Sequence, residues 1–304
     1  YKTAMKYFLI IFLVLVSFLE TGAQSYPVFS QYMRNGLALN PAYAGSKENF
    51  AVSLVYRQQW TGFNGSPVTQ VFNAHAPLKK DRVALGLMAF NDTYGPYRNT
   101  GIFANYAFRI RMGKGTLSLG LKGGVYLQEE DQSDFRPVDQ NDPVIQGGVY
   151  NYTIPNFGAG IYYYSNRFYM GVSVPALLSS HGSELYHDFY NYDILVTSGI
   201  LIRFSDKFKF KPSFLVNFNL PSSFQVDING NFIFGDFLWL GGSWRIQDET
   251  IVGMIELQLT PQFGIGYSYD YSSGTLNSFN SGSHEVVLRY LFGYKVKATN
   301  PRYF

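Results

Sequence analysis

The chain has 304 residues, of which 46% are hydrophobic and 18% aromatic, with 25 Tyr, 27 Phe and 30 Gly, while only 15% are charged. That mix suits aromatic-bearing strands better than a helical bundle, and the mean hydropathy is too low for a chain of many membrane helices. Without cysteine there are no disulfides or thiolate metal sites, and a net charge of +3 does not supply the concentrated basic face that nucleic acid needs.

Residues 1–23 read as an export signal. Lys2 and Lys6 form a basic start, Tyr7 to Leu19 is an unbroken apolar run, and Thr21-Gly22-Ala23 offers a small-residue cleavage site before Gln24. The run is short of the ~20 residues a spanning helix requires. Residues 24–49 follow as an N-terminal arm.

From residue 50 the pattern is two-fold. Fourteen strand-like stretches are expected at about 50–61, 67–77, 82–91, 98–110, 115–127, 154–164, 167–176, 192–204, 207–218, 223–234, 237–247, 250–259, 262–271 and 284–294. In 116–127, Leu117, Leu119, Leu121, Val125 and Leu127 oppose Thr116, Ser118, Gly120, Lys122 and Gly124. In 223–234, Phe224, Val226, Ile228, Phe232 and Phe234 oppose Ser223, Gln225, Asp227, Asn229 and Asn231. Soluble sandwiches alternate too, so the connections discriminate. Those after even strands are short, as in Ser165-Asn166 and Gly235-Asp236. Those after odd strands include the long segments 128–153, 177–191 and 272–283. Short turns on one rim and long loops on the other define an outer-membrane barrel, with the short turns and both termini periplasmic. The expected fold is therefore all-β: a transmembrane antiparallel barrel over 50–294, with a periplasmic tail at 295–304.

Two stretches break the alternation. Residues 82–91 are apolar on both faces, and Tyr162-Tyr163-Tyr164 is aromatic throughout. An inward apolar face needs something to pack on. Tyr32, Leu37, Leu39 and Tyr43 of the arm would otherwise be stranded in water. Part of the arm is accordingly expected to fold into the lumen or across its periplasmic mouth, with Tyr32, Asn40 and Tyr43 as contacts, the alternative being a flexible periplasmic arm. Arg57 lies on the strand face opposite Val52, Leu54 and Tyr56, hence toward the lumen, either as an ion-pair partner of the arm or simply solvated.

No catalytic constellation stands out. Ser283-His284-Glu285 spells a triad but cannot form one, because strand neighbours point to opposite faces. In the acidic loop 128–153, the run Asp139-Gln140-Asn141-Asp142 lacks the glycine and distal glutamate of a calcium loop. Gly120 to Gly124 lies within a strand and precedes no helix, so it is no phosphate loop; its glycines fit relief of crowding inside a barrel. Lys207, Lys209 and Lys211 share one face near a short turn. With Lys79, Lys80, Arg111 and Lys114 in other turns and Lys295, Lys297 and Arg302 in the tail, they suggest a basic periplasmic rim, read either as a docking surface or as ordinary turn solvation.

The arm also carries a resemblance. Phe29-Ser30-Gln31-Tyr32 and Asn40-Pro41-Ala42-Tyr43-Ala44-Gly45 resemble the opening motif of the PorP/SprF proteins of Bacteroidetes. Further matches are Arg57-Gln58-Gln59-Trp60, Gly62-Phe63 with Pro67, Asn91-Asp92 with Gly95, Gly282-Ser283-His284-Glu285 and the ending Asn300-Pro301-Arg302-Tyr303-Phe304. The resemblance implies an outer-membrane component of the type IX secretion system, not an enzyme and without a cofactor. It implies a role in secretion or surface attachment of cargo bearing a C-terminal signal domain, gliding adhesins among them. Its implied partners are the periplasmic ring and peptidoglycan-binding components. Lys79, Lys80, Lys295, Lys297, Arg302, Tyr303 and Phe304 are the candidate contacts for such partners. The alternative is a passive small-solute porin, for which Lys209, Lys211, Asp227 and Asn229 would suit a polar lining. A barrel hydrolase drawing serine and histidine from adjacent strands is a third reading.

Overall fold

A computed structural model describes residues 29–78, 82–133, 147–181, 184–186, 192–219, 223–273 and 280–293. The expected signal segment and the tail lie outside them. Strands follow the arm in chain order. The first seven are β1 (Phe50–Gln58), β2 (Val68–Pro77), β3 (Val83–Tyr94), β4 (Tyr97–Met112), β5 (Gly115–Asp131), β6 (Val149–Ser165) and β7 (Phe168–Val174). After these come β8 (Asp193–Ile200, resuming at Ile202–Arg203), β9 (Phe208–Asn219), β10 (Ser223–Phe234), β11 (Leu238–Arg245), β12 (Thr250–Gln258), β13 (Phe263–Ser272) and β14 (Ser283–Phe292). A small hairpin, Ser179–His181 with Glu184–Tyr186, lies between β7 and β8.

Each strand pairs antiparallel with its sequence neighbour, and β1 pairs with β14 along its whole length, from Phe50 opposite Phe292 to Gln58 opposite His284. The ladder closes as a fourteen-stranded barrel, which leaves no open edge in lipid.

Closure gives the alternation an inside and an outside. Leu121 is 62% exposed whereas its neighbour Lys122 is 3% exposed, so the apolar side chains of β5 face outward and the polar ones inward. Leu54, Leu87, Ile102, Phe157, Ile228, Ile251 and Ile255 are exposed in the same way and form the lipid-facing band. At the short-turn end this band is rimmed by aromatics. Phe50 packs on Phe292 at 5.1 Å, Phe208 on Phe204 at 5.4 Å and Phe208 on Phe234 at 5.3 Å, the girdle expected where membrane meets water.

The structure departs from the sequence reading in detail. The loop expected over 128–153 is shorter, because β5 and β6 run 17 residues each and pair as far as Asp131 opposite Val149. Glu129, Glu130 and Asp131 are thus strand residues, while Asp134, Asp139 and Asp142 lie outside the described set. Strands β3 and β4 also reach closer together, leaving only Gly95-Pro96 between them.

A charge placed in the apolar band should weaken the barrel. Leu121→Arg is expected to lower its stability by about 2–4 kcal/mol, read by denaturant unfolding in lipid bilayers. Leu121→Val should leave it nearly unchanged.

Candidate functional site in the barrel interior

The arm lies on the inward face of the strands. It makes three short helical turns, Tyr32–Arg34, Gly36–Leu39 and Pro41–Tyr43. Asn40 fits the last start: its Oδ1 accepts from Ala42 N at 2.9 Å while Pro41 occupies the first helical position, where no N–H is needed. Phe29, Tyr32, Met33 and Leu39 are buried in one cluster with Val55, Val71, Met88, Phe90, Phe103, Leu195, Leu215 and Val287. Those wall residues come from β1, β2, β3, β4, β8, β9 and β14, so arm side chains reach opposite sides of the barrel. The doubly apolar β3 is explained here, since its inward Met88 and Phe90 belong to this cluster.

Backbone meets backbone across a line of glycines. A Cβ on Gly120 would sit 2.1 Å from Ala42 N, and one on Gly160 would sit 2.2 Å from Asn40 Oδ1. Gly120 and Gly160 are paired across β5 and β6, so together they open a groove for Asn40 to Ala42. Within that groove Asn40 Nδ2 donates to the carbonyls of Ile161 at 3.0 Å and Val172 at 3.3 Å, bridging β6 and β7. Ser173 Oγ donates to the carbonyl of Leu39 at 2.6 Å.

The start of the described arm is held by charge. Glu285, wholly buried, accepts two consecutive main-chain donors, Ser30 N to Oε2 and Gln31 N to Oε1, each at 2.8 Å. Arg57, 1% exposed, sits between Asp270 at 2.8 Å and Glu285 at 3.4 Å. It also donates from Nη1 to Ser30 Oγ at 2.6 Å, and the same hydroxyl donates to Asp270 at 2.6–2.7 Å. Arg245 joins from the other side, 3.3 Å from Asp227 and 3.7 Å from Asp270. Arg34 forms a second cluster nearer the short-turn end. Its Nε is 2.5 Å from Glu256, its guanidinium lies 3.7 Å over the Trp239 ring, and Arg289 pairs with the same Glu256 carboxylate. Burial pulls the Arg34 guanidinium down to about 10, against the opposing pull of Glu256.

The four arm and lumen residues singled out from sequence therefore share one interface. Tyr32 OH lies 3.1 Å from Ser213 Oγ on β9. Asn40 engages β6 and β7. Tyr43 packs edge-on against His75 and Tyr162, each at 5.5 Å. Arg57 contacts Ser30 and forms ion pairs rather than standing solvated. The candidates Lys79, Lys80, Lys295, Lys297, Arg302, Tyr303 and Phe304 lie outside the described residues. Lys209 and Lys211 do not extend a solvated rim. Both are buried, with Lys209 2.5 Å from Asp236 and Lys211 facing the rings of Tyr169 and Trp239. Sequence reasoning missed Asp270, Glu285, Glu256 and Arg289 as contacts. Their parity carried the signal, because Val286, Leu288 and Tyr290 alternate outward and leave Glu285 and Arg289 facing in.

These features define a transmembrane β-barrel of the outer-membrane type whose inner wall is built to contact its own N-terminal segment. The family described as type IX secretion system membrane protein PorP/SprF matches residues 21–290, and the chain belongs to it. This is a family of secretion-system membrane proteins, not of enzymes. Comparison with curated proteins yields no match. Among solved structures the fold is similar to the CymD monoaromatic hydrocarbon channel, with TM-score 0.51, 14% identity and coverage of 86% of this chain and 93% of that one. It is also similar to the Ralstonia pickettii toluene transporter TbuX, with TM-score 0.50, 13% identity and coverage of 89% and 95%. At such identities the likeness is one of fold.

Two substitutions test the interface. Arg57→Met strands two buried carboxylates and should cost about 3–5 kcal/mol, seen as a lowered unfolding temperature in detergent. Gly120→Val should leave the barrel formed but displace residues 40–42, exposing Arg34 to trypsin in a folded protein whose parent resists cleavage there.

Proposed function

We propose that this protein supports type IX secretion as a barrel closed by its own arm, serving the secretion or surface attachment of cargo proteins such as gliding adhesins. It does so by binding periplasmic machinery and cargo rather than by passing small solutes. Family membership supports the secretion role. The observation that carries the closed reading is the buried cluster joining Phe29, Tyr32, Met33 and Leu39 to wall residues on opposite sides of the barrel. A lumen crossed by packed side chains is a poor conduit for water and ions.

In this reading the chain is exported by its N-terminal signal, and the arm is a rigid plug rather than a loose extension. Cargo is recognised by its C-terminal signal domain. The periplasmic ring and peptidoglycan-binding components meet the short-turn end and the tail, where Lys79, Lys80, Lys295, Lys297, Arg302, Tyr303 and Phe304 supply positive charge and aromatic surface. The porin reading draws on the polar inward residues Lys209, Lys211, Asp227 and Asn229, all of which are buried.

Two measurements separate the readings. Purified protein in planar bilayers should show little steady conductance, and deletion of the arm from the mature chain should raise it. Deleting the gene should stop particular cargo from reaching the cell surface while small-solute uptake continues. A large steady current from the intact protein, together with normal cargo display in the deletion strain, would establish the porin instead.

A further inference from the structure

The arm runs along the barrel axis, and contacts at both of its ends fix its direction. Its first described residues meet the wall at the long-loop rim. Ser30 N and Gln31 N donate to Glu285, two residues into β14, and the Ser30 hydroxyl donates to Asp270, two residues before β13 ends. Arg57, which pairs with both carboxylates, is the last residue but one of β1. From there the arm descends. Tyr32 OH reaches Ser213, midway along β9. Arg34 lies over Trp239, the second residue of β11, and pairs with Glu256, two residues before β12 ends at its short turn. Gly45 N donates to His75 Nδ1 at 3.0 Å, two residues before the short turn that follows β2. Charge marks the same two levels: inward Asp227, Asp270 and Glu285 stand toward the long loops, and Arg109 and Arg289 toward the short turns.

The way back down is occupied. A chain that entered from the short-turn end, rose to Ser30 and then followed the arm down would need two backbones side by side, and each takes up about 5 Å of width. The interior is instead crossed by Phe29, Tyr32, Met33 and Leu39, packed on wall residues from opposite sides of the barrel. Where backbone does lie against the wall, at Gly120 and Gly160, the recess is filled by Asn40 to Ala42 of the descending arm. The strand ladder is closed, so the chain cannot pass out through the wall. Phe29 and Ser30 are each 1% exposed, so this packing begins at the very first described residue.

We infer that the chain enters the barrel through its long-loop mouth, so that the residues ahead of Phe29 emerge on the long-loop side. With short turns facing the periplasm, that side is the cell surface. Strand parity alone assigns both chain ends to the periplasm; the arm carries its own end across the membrane and joins the two rims as a strap. The plug is thereby reachable from outside through the residues that precede it. The inference rests on the docked arm and does not require the secretion role, and it holds equally for a porin.

The chain has no cysteine, so a single introduced thiol reports one position. Ser25→Cys is labelled with a membrane-impermeant maleimide on intact cells and again after the outer membrane is permeabilised. Two exposed positions calibrate the rims: Asn64→Cys in the connection between β1 and β2, on the long-loop side, and Asn166→Cys in the short turn between β6 and β7. Ser25→Cys is expected to label as Asn64→Cys does, with no gain on permeabilisation. Labelling that follows Asn166→Cys overturns the inference, and so does a thiol that stays unlabelled in both states. Because the comparison is between rims, it reads out whichever way the barrel is inserted. An epitope inserted between Ser25 and Tyr26 gives a second measurement in a different variant. Antibody binding to intact cells supports the strap, and binding only after permeabilisation overturns it.

Discussion

Two carboxylates that cannot reach bulk water set the terms for the interior. Asp270 and Glu285 are each almost wholly inaccessible on adjacent strands, and isolated ions in such a place are untenable. The wall supplies Arg57 and Arg245 but leaves acceptor capacity over. The remaining donors come from the arm: the main-chain N–H groups of Ser30 and Gln31 and the Ser30 hydroxyl. Wall and arm are therefore electrically incomplete without each other. Register makes this possible, since Arg57 stands directly opposite Glu285 where β1 closes on β14. The pairing that seals the barrel also builds the seat for the arm.

Apolar burial adds to this. Phe29, Tyr32, Met33, Leu37 and Leu39 are all buried, and at about 1.5–3 kcal/mol per large side chain their removal from water contributes on the order of 10 kcal/mol as an upper value. Ordering the segment's backbone offsets much of it. The fit depends on what is missing as well as on what is present. Glycine at positions 120 and 160 lets a turn of the arm lie against the strands at a distance that no side chain permits. Gly36 plays the same part within the arm, since its absent Cβ is where the Tyr43 ring folds back.

The barrel was legible because period-two alternation is a property of single strands and needs no knowledge of partners. Strand count, order and the short-turn rim follow from it, and the two failures of alternation, in β3 and at Tyr162 to Tyr164, marked where the interior is occupied. What lay beyond the sequence was pairing across the lumen. Arg57 could be placed inward by parity, but its partners are hundreds of positions away in the chain, and only closure brings β13 and β14 beside β1. The lysines of β9 show the converse error. Their spacing suggested a solvated rim, yet Lys209 is buried against Asp236 and Lys211 against the rings of Tyr169 and Trp239.

Sorting charge by height has a consequence for how the arm sits. An acidic layer near the long loops and a basic layer near the short turns together create a field along the barrel axis, and in a low-dielectric enclosure such fields are weakly screened. The arm is matched to it in part. Its first described residues offer N–H groups to the acidic layer, and Arg34 takes up Glu256 at the boundary. Its last residues set Lys47 beside Glu48. Docking the arm thus completes the acidic layer, whose carboxylates take up the main-chain donors of Ser30 and Gln31.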